Sequence, residues 1–155
     1  MAVLGDFIIL DYEIKELNGE MLISSGNKGF LMIYGFSPFI LSSLDQKIAK
    51  MKENEEMEIQ LEPKEAFGTY NQFLVKTFNQ SFFGKPVNIG DEVEIENEKG
   101  MFKGIVKKVE NGRVTVDFNH PFAGKKVVSK VKVRKIIKED NEKIKAFFEF
   151  GYNIK

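Results

Sequence analysis

The 155-residue sequence contains no cysteine, no tryptophan and a single histidine, His120. Without thiols there are no disulfides, no cysteine nucleophile and no cysteine zinc site. One histidine cannot supply a His-based metal centre, so no metal and no other cofactor is expected, and a turn or packing role is expected for His120. Long apolar runs are also missing: none approaches the ~18–20 residues of a membrane helix. The N-terminus lacks the basic–apolar–small order of a signal peptide. A cytoplasmic protein with no membrane partner is expected. Neither sign of charge is in excess, since Lys+Arg and Asp+Glu both count 23. A neutral chain is poorly suited to nucleic acid, and the basic stretch 125–138 is a single strand without interleaved aromatics.

What the chain does have is phenylalanine, 15 of them. So many rings imply a large core, an exposed apolar binding surface, or both. The length allows one medium domain, or a compact domain with a smaller one inserted in it.

Residues 5–17 are rich in β formers and apolar on both faces near the middle, which predicts a central strand. Asn18-Gly19 is a strong hairpin signal, with the return strand over 20–24 and another over 30–34. Ile40, Leu41, Leu44, Ile48 and Met51 fall at helical spacing, with Ser42 or Ser43 as candidate cap and the helix running out in the polar stretch 52–56. Met57–Leu61 alternates as a strand with one wet face. Residues 62–68 form a turn or short helix closing on Gly68.

From Thr69 to Phe83 the chain is aromatic and amide-rich without steady period. Strands are expected over 92–96, 101–109 and 113–118, the last two joined by Asn111-Gly112. Lys126–Ile137 reads as a long last strand. The tail from Asp140 to Phe150 reads as a helix capped by Asp140, with Ile144, Phe147 and Phe148 on its apolar side and Gly151 as its stop.

One block ties these pieces together: Asp117-Phe-Asn-His-Pro-Phe-Ala-Gly-Lys125. Asn and Pro bring turn chemistry and Gly permits positive φ, so strand–turn–strand is expected. The block resembles the junction at which SlyD-like FKBP-type prolyl isomerases return from an inserted flap domain. Gly5-Asp6 with Asp11-Tyr12, Gly35 before the helix, Pro63-Lys-Glu-Ala-Phe-Gly68, Leu74-Val-Lys-Thr77 and Ile89-Gly-Asp91 resemble the family in the same order.

The resemblance covers roughly residues 5–137. It implies an α+β fold: an FKBP-like antiparallel sheet wrapped on a short helix, a small inserted β-rich domain and a C-terminal helix. The implied domains are 1–68 plus 119–138 for the isomerase, 69–118 for an insert-in-flap chaperone module, and 139–155 for a helical tail.

It also implies a prolyl pocket. Tyr12, Phe30 and the pair Ile40-Leu41 match pocket positions, Leu44 matches the floor, and Phe67 stands where the family has Tyr. In place of Phe-Asp-(Thr/Ser)-Ser the chain has Leu22-Ile23-Ser24-Ser25, losing a ring and a carboxylate. Ser43 replaces a Gly, and an aromatic of the last strand falls near Val128 or Ser129. In the insert, Phe73, Phe78, Phe82, Phe83, Met101 and Phe102 are candidates for an adaptable peptide-binding surface, with Leu22 and Ile23 beside the pocket.

Two functions are compatible with these residues. One is a rotamase with chaperone activity on unfolded or proline-containing polypeptides, expected to be a monomer. The other is a diverged non-catalytic holdase whose pocket has lost its activity. The intact architecture favours the first and the pocket substitutions the second.

Overall fold

A computed structural model describes residues 1–150. The chain forms two compact units: Met1–Gly68 with the segment from Gly124 onward, and Thr69–Ala123 between them. In the first unit, β1 (Phe7–Glu16), β2 (Met21–Ser24), β3 (Phe30–Ile33), β4 (Glu56–Leu61) and β9 (Val127–Ile137) make one antiparallel sheet in the order β2-β1-β9-β4. β1 is central, as its two apolar faces predict. One edge pairs with β9 throughout, while the other is shared between β2 near Ile14 and β3 near Ile8.

Alternation along β1 builds two layers. Ile8, Leu10, Tyr12 and Ile14 face the main core with Leu61, Val127, Val131 and Val133. Phe7 and Ile9 face the other way, toward Leu31, Ile137 and α2 (Asp140–Phe150). β9 is irregular between its pairings with Ile9 and Leu10, which take Lys135 and Val133 as partners and leave Arg134 over. The guanidinium of that extra residue bonds both oxygens of Asp11 and the carbonyls of Asn27 and Lys28. Gly29, at φ +88°, lets the loop pass there, since a Cβ would meet the Leu10 carbonyl at 3.0 Å.

Expectations about both helices of this unit are corrected. The helix beneath the sheet is short: a 3-10 turn, Ser42–Leu44, leads into α1 (Asp45–Ala49), which ends before 52–56. Neither serine caps it. Ser43 Oγ donates to the Glu65 carbonyl at 2.6 Å, and Asp45 instead accepts the Phe39 N–H at 3.1 Å. Phe39, Ile40 and Leu41 precede the helix, where exposure alternates in, out, in.

The tail helix docks by a different side from the one expected. Ala146 and Phe150 are buried, while Ile144, Phe147 and Phe148 stay exposed. Small Ala146 allows close approach to Ile9, Leu31 and Ile137, and Lys143 lies 5.7 Å over the Phe7 ring on that side. Asp140 is not the cap, because the first helical bond runs from Lys143 N–H to the Glu139 carbonyl. Gly151, the expected stop, lies outside the described residues.

The second unit is a four-stranded antiparallel sheet in the order β5-β8-β7-β6. Its strands are β5 (Val75–Asn79), β6 (Glu92–Asn97), β7 (Gly100–Glu110) and β8 (Arg113–Asp117). Asn111 and Gly112 both have positive φ, the two-residue turn expected of that pair. Val87, Val93, Val106, Val114 and Val116 form its core. β5, absent from the sequence reading, pairs with β8 from Val75↔Asp117 to Asn79↔Arg113.

The Asp117-Phe-Asn block acts as a latch in this unit. Asn119 exchanges two 2.9 Å bonds with the backbone of Asn71 and gives its own N–H and amide to Asp117 Oδ1. The Tyr70 hydroxyl donates to Asp117 Oδ2 at 2.8 Å. Burial pushes the Asp117 carboxyl up, but these bonds outweigh it and hold it below the usual carboxylate range. His120 Nδ1 accepts the Phe122 N–H at 3.0 Å, closing the turn.

Candidate functional site

In the first unit, β1, β3 and the segment before α1 bring three rings together. Tyr12 meets Phe30 edge-on at 5.8 Å and Phe39 at 5.0 Å, and Phe30 meets Phe39 at 6.1 Å. Leu41 and Leu44 are buried in the same cluster, and Phe67, Leu22 and Ile23 pack against it. Seven of the eight residues assigned here from the sequence thus share one apolar neighbourhood. Ile40 does not: it is 40% exposed, between Phe39 and Leu41, which are buried in the cluster.

Phe39 was missing from the candidates. It follows Pro38 in irregular chain, where no periodicity marks an inward residue, and its neighbour Ile40 is equally apolar. Asp45 fixes it by accepting its N–H, and burial pushes that carboxyl up against the opposing effect of the bond. Burial also raises the Tyr12 phenol, so it is neutral at any physiological pH.

Ser129, one of the two positions near which the resemblance implies an aromatic, occupies the core face of β9, between Ile14 on β1 and Ile59 on β4. It is fully buried, and its hydroxyl has no hydrogen-bond partner among the described residues. The cluster is therefore apolar and largely buried, with edge-on rings and few polar groups. Among the described residues no group of three or more His, Asp or Glu is placed to hold a metal, and no helix is long and apolar enough to cross a membrane.

In the second unit, the insert candidates divide. Phe78 stacks on Phe82 at 5.3 Å and meets Phe83 and Phe118 edge-on at 5.8 and 6.2 Å. Phe78 and Phe83 pack on the valine core, while Phe82 is largely exposed. Phe78 and Phe102 line a groove of about 610 Å³ with Leu74, Ile95 and Phe118, three residues the sequence reading did not select. Met101 pairs with Glu96 on the other face of the hairpin from Phe102, and Phe73 stands 83% exposed outside the groove.

Residues 79–139 match a model described as a domain of unknown function, DUF7205. Over 130 residues the chain is 27% identical to the FKBP-type peptidyl-prolyl cis-trans isomerase SlyD of Aeromonas hydrophila, covering 83% of this chain and 61% of that protein's length. It is 28% identical to the FKBP-type 16 kDa peptidyl-prolyl cis-trans isomerase of Escherichia coli K12, covering 83% of this chain and 89% of that one. With the short-type peptidyl-prolyl cis-trans isomerase of Methanocaldococcus jannaschii the identity is 23%, over 89% and 96% of the two chains. The α+β architecture and the similarity to these isomerases, at 23–28% identity over most of the sequence, support an FKBP-type, SlyD-like protein.

Proposed function

We propose that the protein is a peptidyl-prolyl cis-trans isomerase and folding chaperone that binds X–Pro segments of unfolded polypeptides in an apolar pocket. The reading is supported above all by Tyr12, Phe30, Leu41, Leu44 and Phe67, which lie in or against one apolar cluster. Leu22 and Ile23 would contact the peptide beside them.

Rotation about an X–Pro bond breaks no covalent bond but faces a barrier of roughly 18–20 kcal/mol. The planar amide is stabilised by resonance and is the more polar form. A desolvated apolar pocket disfavours it relative to the twisted transition state, so neither nucleophile, metal nor general base is required. The rings of Tyr12 and Phe30 would hold the prolyl ring, and the backbone at Ile40-Leu41 would hold the flanking peptide.

The groove of the second unit suits the chaperone role, because apolar contact makes little demand on client sequence. Phe78 and Phe102 line it, and Phe73, Phe82, Phe83 and Met101 extend the apolar surface. The substitutions at Ile23 and Phe67 favour a second reading, a holdase with weak catalysis. Each lost polar contact removes about 1–3 kcal/mol of transition-state stabilisation, roughly ten- to a hundredfold in rate.

The test is catalysis of proline-limited refolding beside a short chromogenic proline peptide, for the full chain and for a version with Thr69–Ala123 replaced by a short link. Catalysis of both substrates, with only refolding lost on replacement, supports isomerase plus chaperone. No catalysis of either, with aggregation still suppressed, makes the protein a holdase.

A further inference from the structure

The groove of the Thr69–Ala123 unit has a one-sided charge pattern. β6 reads Glu92-Val-Glu-Ile-Glu-Asn97, and its period of two separates the carboxylates from the apolar residues. Val93 pairs with Gly104 and Ile95 with Phe102, on the face that carries the core and the groove. Glu92, Glu94 and Glu96 therefore project from the opposite face, where Glu94 meets Lys103 at 3.5 Å. The groove floor is Phe78, Ile95, Phe102 and Phe118, and among the described residues the charged ones that line it are Lys76 and Lys99. Both are exposed, and neither forms an ion pair among the described residues.

We propose that this groove takes an extended apolar segment of non-native polypeptide that carries an acidic side chain at its flank, the carboxylate meeting Lys76 or Lys99. The proposal rests on the chaperone reading and adds a selection rule to it. The apolar floor binds without regard to sequence, whereas two uncompensated ammonium groups at the rim attract a carboxylate and repel a cation. Clients rich in Phe and Leu with Asp or Glu alongside are held in preference to those flanked by Lys or Arg.

Three proline-free fluorescent peptides test this on the full chain. They share one Phe/Leu centre and are flanked by Asp, Asn or Lys, with affinity read by anisotropy. The expected order is Asp above Asn above Lys, with about three- to tenfold between the extremes at low salt. That spread collapses at about 0.5 M NaCl, where screening removes it. Lys76→Glu with Lys99→Glu reverses the order, a result that an unfolded variant does not give. Equal affinity for the Asp and Lys peptides, or an order untouched by the reversal, overturns the selection rule and leaves apolar binding standing. If no peptide binds while a proline tetrapeptide is still isomerised, the chaperone reading fails and the proposal with it.

Discussion

Phe118 lies over Gly104, and the contact leaves no room for a side chain there. A Cβ on Gly104 would stand 2.8 Å from Phe118 Cδ1, 2.5 Å from Val116 Cγ1 and 3.0 Å from the Asp117 carbonyl. Two of these are side chains of the core strand and its exit, with little freedom to retreat. Gly104→Ala is expected to destabilise the second unit by about 1–3 kcal/mol through overpacking. Amide hydrogen exchange on β7 and β8 reads this; unchanged protection would mean that the ring moves aside freely.

Tyr12 separates packing from hydroxyl chemistry. Tyr12→Ala removes a buried ring that meets Phe30 and Phe39 and is expected to cost about 3–5 kcal/mol of stability, as large aromatic truncations do. Tyr12→Phe keeps the ring. Loss of tetrapeptide isomerisation in the Phe variant, at unchanged melting temperature, would assign the hydroxyl a role in the proposed pocket. Because burial raises its pKa, the wild-type rate should show no inflection from this phenol below its ordinary value of 10.0.

Phe67→Tyr returns the hydroxyl that the resemblance leads one to expect. The side chain is only partly buried, so the added oxygen does not have to enter the core. An increase in kcat/KM for a proline tetrapeptide of roughly tenfold is expected if that hydroxyl bonds the substrate carbonyl. A flat response places Phe67 outside the reacting geometry.

Ser129 carries a cost in the present structure. Its buried hydroxyl lacks a partner among the described residues, and an unmade hydrogen bond in an apolar setting is unfavourable by about 1–3 kcal/mol. Ser129→Ala is therefore expected to raise the urea midpoint rather than lower it. A lower midpoint would show that the hydroxyl is satisfied by a buried water.

Asp6 gives the first unit a pH dependence of defined sign. Burial pushes its carboxyl up, but bonds from Lys138 and the Val3 N–H outweigh this and hold it below its ordinary 3.8. A depressed folded pKa means stability that is fully present above the unfolded value and lost as pH falls through the folded one. Asp6→Asn should therefore lower the melting temperature at neutral pH. The gap from wild type should close as the pH drops below 3.8. A gap that persists in acid would point to shape rather than charge.

How much of this was legible in the sequence depended on whether the signal was local. Asn18-Gly19 and Asn111-Gly112 carry their own turn geometry, and clean alternation marks β4. β5 was missed because Val75-Lys-Thr-Phe-Asn79 is an edge strand half in solvent, with no two-residue rhythm in its burial. Ile40 and Leu41 mimicked a helical stripe although they precede the helix. Phe39 escaped because irregular chain has no period to reveal which residue turns inward. On α2, two apolar stripes were available, and only the shape of the surface around Ile9, Leu31 and Ile137 decides between Phe150 and Phe148.

The Gly124 N–H bonds the Gly68 carbonyl at 2.8 Å, so the first unit is entered and left at one point. That makes the intervening segment a loop whose closure is unfavourable when it is a random coil and largely pre-set when it is folded. For a coil of this length the entropy opposing closure is about 3–4 kcal/mol. The sheet of the second unit therefore tightens the first through the statistics of the connecting chain alone. Heat that melts the Thr69–Ala123 unit should lower the melting point of the other without altering a single one of its side chains.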